Sequence, residues 1–138
     1  MPNEHRIAIV DDDEALRNAT KDLTAALGFH AEAFGSAREF LESDGWRTTS
    51  CLITDIQMPH MSGIELHQHL VASGASIPTI LITAYADDGA RDRALAAGAI
   101  CYLVKPFTMD ELLSCINAAL DRDDPGTSNR TTPREPQV

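Results

Sequence analysis

The chain has 138 residues, 43% hydrophobic and 23% charged, the proportions of one globular domain with enough apolar surface for a core. A formal net charge of -10 argues against a surface for duplex nucleic acid, which would need clustered Lys and Arg opposite the phosphates. No apolar run approaches a membrane span, and the opening MPNEHRI lacks the charged-then-apolar plan of a secretion signal, so a soluble, cytoplasmic protein is expected.

In chain order, the apolar run Arg6 to Val10 predicts a first strand that ends in Asp11, Asp12 and Asp13. Leu16, Ala19, Leu23, Ala26 and Leu27 then recur at helical spacing, and Gly28 closes a first helix. FHAEAF, Phe29 to Phe34, reads as a short second strand. Ser36 and Glu39 have capping-box spacing and open a second helix that carries Phe40 and Leu41 and ends at Asp44-Gly45. From Ser50, SCLIT fills a third strand with β-branched and apolar side chains and stops at a carboxylate, Asp55. Met58-Pro59 disfavours helix, and Ser62 with Glu65 starts a third helix near Gly63, with Ile64, Leu66, Leu70 and Val71 as its stripe and Gly74 as its stop.

TILIT, Thr79 to Thr83, is a fourth strand, followed by a loop from Ala84 to Asp88. The fourth helix has only Ala90, Ala94, Leu95 and Ala97 for an apolar stripe, with Gly89 in its first turn and Gly98 at its end, so it should be the least firmly anchored. Ile100 to Val104 makes the fifth strand and Lys105-Pro106 a turn. Thr108 and Glu111 cap a last helix bearing Leu112, Leu113, Ile116, Ala119 and Leu120. Residues 123–138, DDPGTSNRTTPREPQV, hold three prolines and no apolar residue before Val138; a disordered tail or linker is expected there, which leaves 1–122 as the domain.

Five strands alternating with five helices imply an α/β fold, a parallel sheet with helices on both faces. Continuous apolar runs such as IAIV, CLIT and TILI suit strands buried on both sides. For so short a chain the doubly wound, flavodoxin-like order 2-1-3-4-5 is the natural three-layer sandwich, and its switch point lies between strands 1 and 3. That order gathers Asp11, Asp12 and Asp55 at one mouth, with Thr83 and Lys105 at the ends of strands 4 and 5. Crowded carboxylates repel and need a cation or a lysine to stay ionised, a demand that a divalent metal plus Lys105 would answer. The three cysteines, Cys51, Cys101 and Cys115, lack metal-ligand spacing and read as small buried residues, and His67, inside the apolar arc of its helix, reads as core.

These residues carry a resemblance. IVDDDE at 9–14, LITDIQMPHMSGIEL at 52–66, ILITAYAD at 80–87 and YLVKPF at 102–107 are similar to the receiver domains of bacterial two-component response regulators, the CheY-like family, and closest in wording to FixJ- and NarL-type receivers. The resemblance implies transfer of a phosphoryl group from a sensor histidine kinase's phosphohistidine to Asp55, in a protein that is an autocatalytic acceptor and not a turnover enzyme. It implies Mg²⁺, or Mn²⁺ in its place, held by Asp12 and Asp55, by Asp11 largely through water, and by the Gln57 backbone carbonyl. Lys105, the Thr83 hydroxyl and the Ala84 backbone N–H would contact phosphoryl oxygens, and Lys105-Pro106 would be a cis peptide.

The same resemblance makes Thr83 and Tyr102 the switch pair that reshapes the face of helix 4, strand 5 and helix 5, the surface for a downstream protein, an output domain or a homodimer. Gln57 and Tyr85 would flank the hydrolytic water and tune the lifetime of the phosphorylated state. Two expectations remain open for the chain's setting, a stand-alone receiver or the amino-terminal part of a DNA-binding regulator whose linker begins near Asp123. A dehalogenase-type phosphatase would need a D-x-D pair that Asp55-Ile56-Gln57 breaks, and a flavin module would need a phosphate loop where three aspartates stand. A non-phosphorylated pseudo-receiver, serving only for protein contact, is the alternative that keeps the fold.

Overall fold

Strands with apolar side chains on both faces belong in the middle of a sheet, and that is where they lie. A computed structural model describes residues 5–43 and 45–123, with β1 (Arg6–Val10), α1 (Glu14–Ala26), β2 (His30–Phe34), α2 (Ala37–Glu42), a 3₁₀ turn (Gly45–Arg47), β3 (Cys51–Asp55), α3 (Gly63–Ala72), β4 (Thr79–Thr83), α4 (Asp88–Ala96), β5 (Cys101–Val104) and α5 (Met109–Asp123). Asp44 and the expected tail after Asp123 lie outside the described residues. The strands form one parallel sheet in the order β2-β1-β3-β4-β5, with Val10 opposite Thr54 and Asp55 opposite Ile82, the doubly wound, flavodoxin-like arrangement.

Helix starts are fixed by side chains that satisfy otherwise unpaired backbone N–H groups. Asp13 caps α1, its Oδ1 accepting from the Leu16 N–H at 3.1 Å. Ser62 and Glu65 exchange bonds of 3.1 and 2.9 Å across a complete capping box, and Thr108 and Glu111 do the same at 3.0 and 2.8 Å. The expected box at α2 is displaced by one residue: Ser36 accepts from Glu39, but the Glu39 carboxylate takes the N–H of Gly35.

One face of the sheet packs Ile7, Ile9, Ile53, Ile80 and Ile82 against Leu112, Ile116 and Ala119 of α5, with Leu23 and Leu27 of α1 beside them. The other face sets Val10 and Leu52 against Phe40 of α2 and Leu66 and Leu70 of α3. A third, smaller cluster joins Leu81, Ile56 and Ala99 to Ala94, the one buried residue of α4. The expectation for α1 needs correction. Leu16 and Ala19 are exposed while Thr24 is fully buried, made tolerable by its hydroxyl donating to the Thr20 carbonyl at 2.8 Å. His67 is buried on α3, and burial holds its imidazole below the ordinary histidine range. Among the described residues no helix is long and apolar enough to cross a membrane.

Candidate functional site

Parallel strands all end at the same edge, so whatever follows their last residues meets there. Asp11 and Asp12 leave β1, and Asp55 closes the neighbouring β3. One carboxylate oxygen from each of the three lies within 4.8 Å of the others. Asp11 and Asp55 are buried and Asp12 is exposed, so the cluster has a dry floor and a wet rim. Close approach of α3 to the end of β3 requires glycine, because a Cβ at Gly63 would collide with the Asp55 carbonyl oxygen. The Gly63 N–H donates to the Ile56 carbonyl at 3.0 Å, which ties the two elements together.

Lys105 reaches in from the far side of the mouth. Its backbone N–H extends the sheet by donating to the Thr83 carbonyl at 2.8 Å, and the Lys105-Pro106 peptide is cis. The ammonium nitrogen stands 3.4 Å from Asp55 Oδ1 and 3.6 Å from Asp11 Oδ2. Asp11 is further held by the Asp13 N–H, donated to its Oδ1 at 3.0 Å, and by Arg17, whose guanidinium donates to its backbone carbonyl at 3.0 Å. Asp55 Oδ1, by contrast, is buried with only this ion pair to Lys105 and no hydrogen bond. Burial pushes the Asp55 carboxyl above the ordinary range, with Lys105 pulling it back and Asp11 adding to the rise.

One lysine cannot neutralise three carboxylates. The unsatisfied Asp55 oxygen and the all-oxygen donor set fit a hard divalent cation such as Mg²⁺ or Mn²⁺, which accepts few carboxylates and keeps several waters. Thr83, fully buried at the end of β4, heads a second group: its Oγ1 lies 2.8 Å from Gln57 Oε1, to which it donates, and accepts the Tyr85 N–H at 3.0 Å. The Gln57 side chain thus bonds Thr83, a contact between residues 26 apart that nothing in the local sequence signals. Ala84 is exposed beside Thr83, and Tyr85 is 67% exposed. Tyr102 does not join the carboxylates; it packs with the Ala94 cluster, its phenol pushed up by burial and by Asp87 at the start of α4.

An apolar groove of about 490 Å³ runs from the mouth along α1, lined by Leu16, Ala19 and Leu23 on one side and Lys105, Pro106 and Phe107 on the other. This is where the misassigned half of the α1 stripe goes.

Comparison with known proteins gives one consistent picture. A family model described as "Response regulator receiver domain" matches residues 7–117. Among curated proteins, Nodulation protein W of Bradyrhizobium diazoefficiens is 38% identical over 117 residues, covering 85% of this chain and 52% of that one. Response regulator protein TmoT of Ectopseudomonas mendocina is 39% identical over 117 residues, covering 85% and 53%. The chain therefore spans about half the length of these curated relatives. Among solved structures, that of FixJ-N superposes with a TM-score of 0.79 at 32% identity, covering 86% of this chain and 95% of the other.

Proposed function

From the premise that this chain belongs to the response regulator receiver domain family of two-component systems, we propose that Asp55 accepts a phosphoryl group from the phosphohistidine of a sensor histidine kinase. The observation that carries this reading is the buried Asp55 Oδ1, which makes no hydrogen bond but faces a lysine ammonium 3.4 Å away, with two further carboxylates around it. An Asp55 carboxylate oxygen attacks phosphorus in line; the new P–O bond forms as the P–N bond to the donor imidazole breaks, and the imidazole leaves with the electron pair. Lys105 compensates charge on a phosphoryl oxygen, and the Thr83 hydroxyl turns from Gln57 to donate to another, with the Ala84 N–H beside it. Mg²⁺, or Mn²⁺, bound by Asp11, Asp12, Asp55 and the Gln57 carbonyl, would supply the remaining positive charge.

The groove along α1 ends at Lys105 and suits an apolar helix of the donor protein, which would bring the phosphohistidine to the mouth. The output is a changed surface around α4, β5 and α5, read by a downstream protein, an output domain or a second copy. Incubation with acetyl phosphate and Mg²⁺, followed by intact mass, tests the acceptor. One added phosphoryl group is expected on the parent chain and none on Asp55→Asn. Equal labelling of both would discard the reading.

A further inference from the structure

Outside the Asp55 site, two thiols stand together on the opposite side of the edge strand. Cys101 opens β5 and Cys115 lies in the middle of α5, both facing the core layer that contains Ile80 and Ile116. They share an open groove of about 590 Å³ with Leu103, Glu111, Ser114 and Ala118. Cys101 is half-buried at this groove, whereas Cys115 is 7% exposed and Cys51, on β3, is fully buried. We propose that Cys101 and Cys115 form a peroxide-responsive thiol pair in which Cys101 is oxidised first and Cys115 resolves it to an intramolecular disulfide fastening β5 to α5.

Redox-active cysteines are accessible, have raised thiolate character and lie beside a second thiol. The three conditions divide between this pair. Access comes through the groove to Cys101. The side-chain hydrogen bond between the two thiols lowers the Cys101 pKa, against burial, and the same contact together with burial pushes the Cys115 thiol up. Cys101, the thiol the groove leaves accessible, is therefore the nucleophile, and the more deeply buried Cys115 the reserve. In the first step the Cys101 sulfur attacks one oxygen of hydrogen peroxide; the O–O bond breaks, sulfur is oxidised to the sulfenic acid and the other oxygen leaves as water. In the second, Cys115 sulfur attacks that sulfenic sulfur, expelling a second water as the S–S bond forms. Two thiols lose two electrons, and the peroxide gains them. The chemistry needs neither Mg²⁺ nor phosphorylation, so it stands or falls apart from the Asp55 reading.

The full chain, reduced and freed of reductant, is treated with hydrogen peroxide and analysed by intact mass and non-reducing peptide mapping. Loss of two hydrogens per chain is expected, with a Cys101–Cys115 bridge that dithiothreitol reverses. Cys115→Ala should stop at a sulfenic acid on Cys101, trapped by dimedone. Cys101→Ala should slow oxidation at Cys115 by roughly tenfold or more, because the accessible thiol is gone. Cys51→Ala should leave the bridge unchanged. A bridge to Cys51, bridges only between chains, or thiols that survive treatment in the parent protein would each overturn the proposal, and the parent result needs no variant to fold.

Discussion

The two helices that flank β5 are held in very different ways. α5 buries Leu112, Cys115, Ile116, Ala119 and Leu120 against the sheet, and burial of its three large side chains alone contributes on the order of 5 kcal/mol or more. α4 buries Ala94, and its leucine, Leu95, is 40% exposed. Its other fastenings are polar and sit at its start, the Asp87 cap on the Ala90 N–H and the contact of Tyr102 with Asp87. A strand between one locked flank and one lightly held flank has one neighbour that can shift at little cost. Rearranging α4 requires little apolar surface to be exposed; rearranging α5 would unfold the domain.

The sharpest way to break this contrast is to cut into the locked flank. Leu112→Ala should destabilise the protein by about 3 kcal/mol in urea unfolding, as large-to-small changes at fully buried leucines do. A loss under about 1 kcal/mol would mean α5 is held no better than α4. Next in size is the site end of the sheet. Saturating Mg²⁺ should stabilise the native state by about 2 to 3 kcal/mol at a hundredfold excess over its dissociation constant, and Asp12→Ala should remove most of the accompanying rise in melting temperature. An identical Mg²⁺ response in both proteins would dissolve the metal assignment.

Without metal, Asp55 should act in the opposite sense to a salt-bridged carboxylate. Its folded pKa is raised, so the native state keeps this proton where the unfolded chain has lost it, and stability falls as pH rises from the ordinary value of 3.8 through the raised one. Asp55→Asn should flatten that part of the stability profile and raise the melting temperature at neutral pH; a parallel profile would show that Lys105 already offsets the burial. Tyr85→Ala should shorten the phosphorylated lifetime severalfold, about 1 kcal/mol of barrier, if the ring turns from solvent to cover the phosphoryl group. Decay after removal of acetyl phosphate measures it, and an unchanged rate would leave Tyr85 without a shielding role. The smallest effect belongs to the loose flank: Leu95→Ala should change stability by about 0.5 kcal/mol or less, and amide exchange should be faster throughout α4 than in α5.

Sheet order and the carboxylate cluster were legible because they depend on patterns the chain states locally. IAIV, CLIT and TILI have no polar face to turn outward, and each is followed at once by the residue it delivers to the mouth, Asp11, Asp55 and Thr83. Capping pairs three residues apart marked the starts of α3 and α5. Apolar spacing on α1 was misleading, since periodicity reports a face and not what covers it; Leu16 and Ala19 border a groove, and a self-bonded Thr24 takes the core position. Val71 failed similarly, counted in the α3 stripe but 57% exposed. The bond from Thr83 to Gln57 spans two strand ends and has no pattern at all; only the folded sheet brings the two together.

That bond carries a consequence of its own. The Thr83 hydroxyl owns a single proton, now committed to Gln57 Oε1 at 2.8 Å. If an oxygen bound at Asp55 claims it, the glutamine amide must let go, and if the glutamine keeps it, that oxygen goes without this donor. The choice is exclusive, a logical either/or written in one hydrogen atom. At this one bond the oxygen and the glutamine are rivals, so whatever binds at Asp55 and takes the proton leaves Gln57 Oε1 to find another donor.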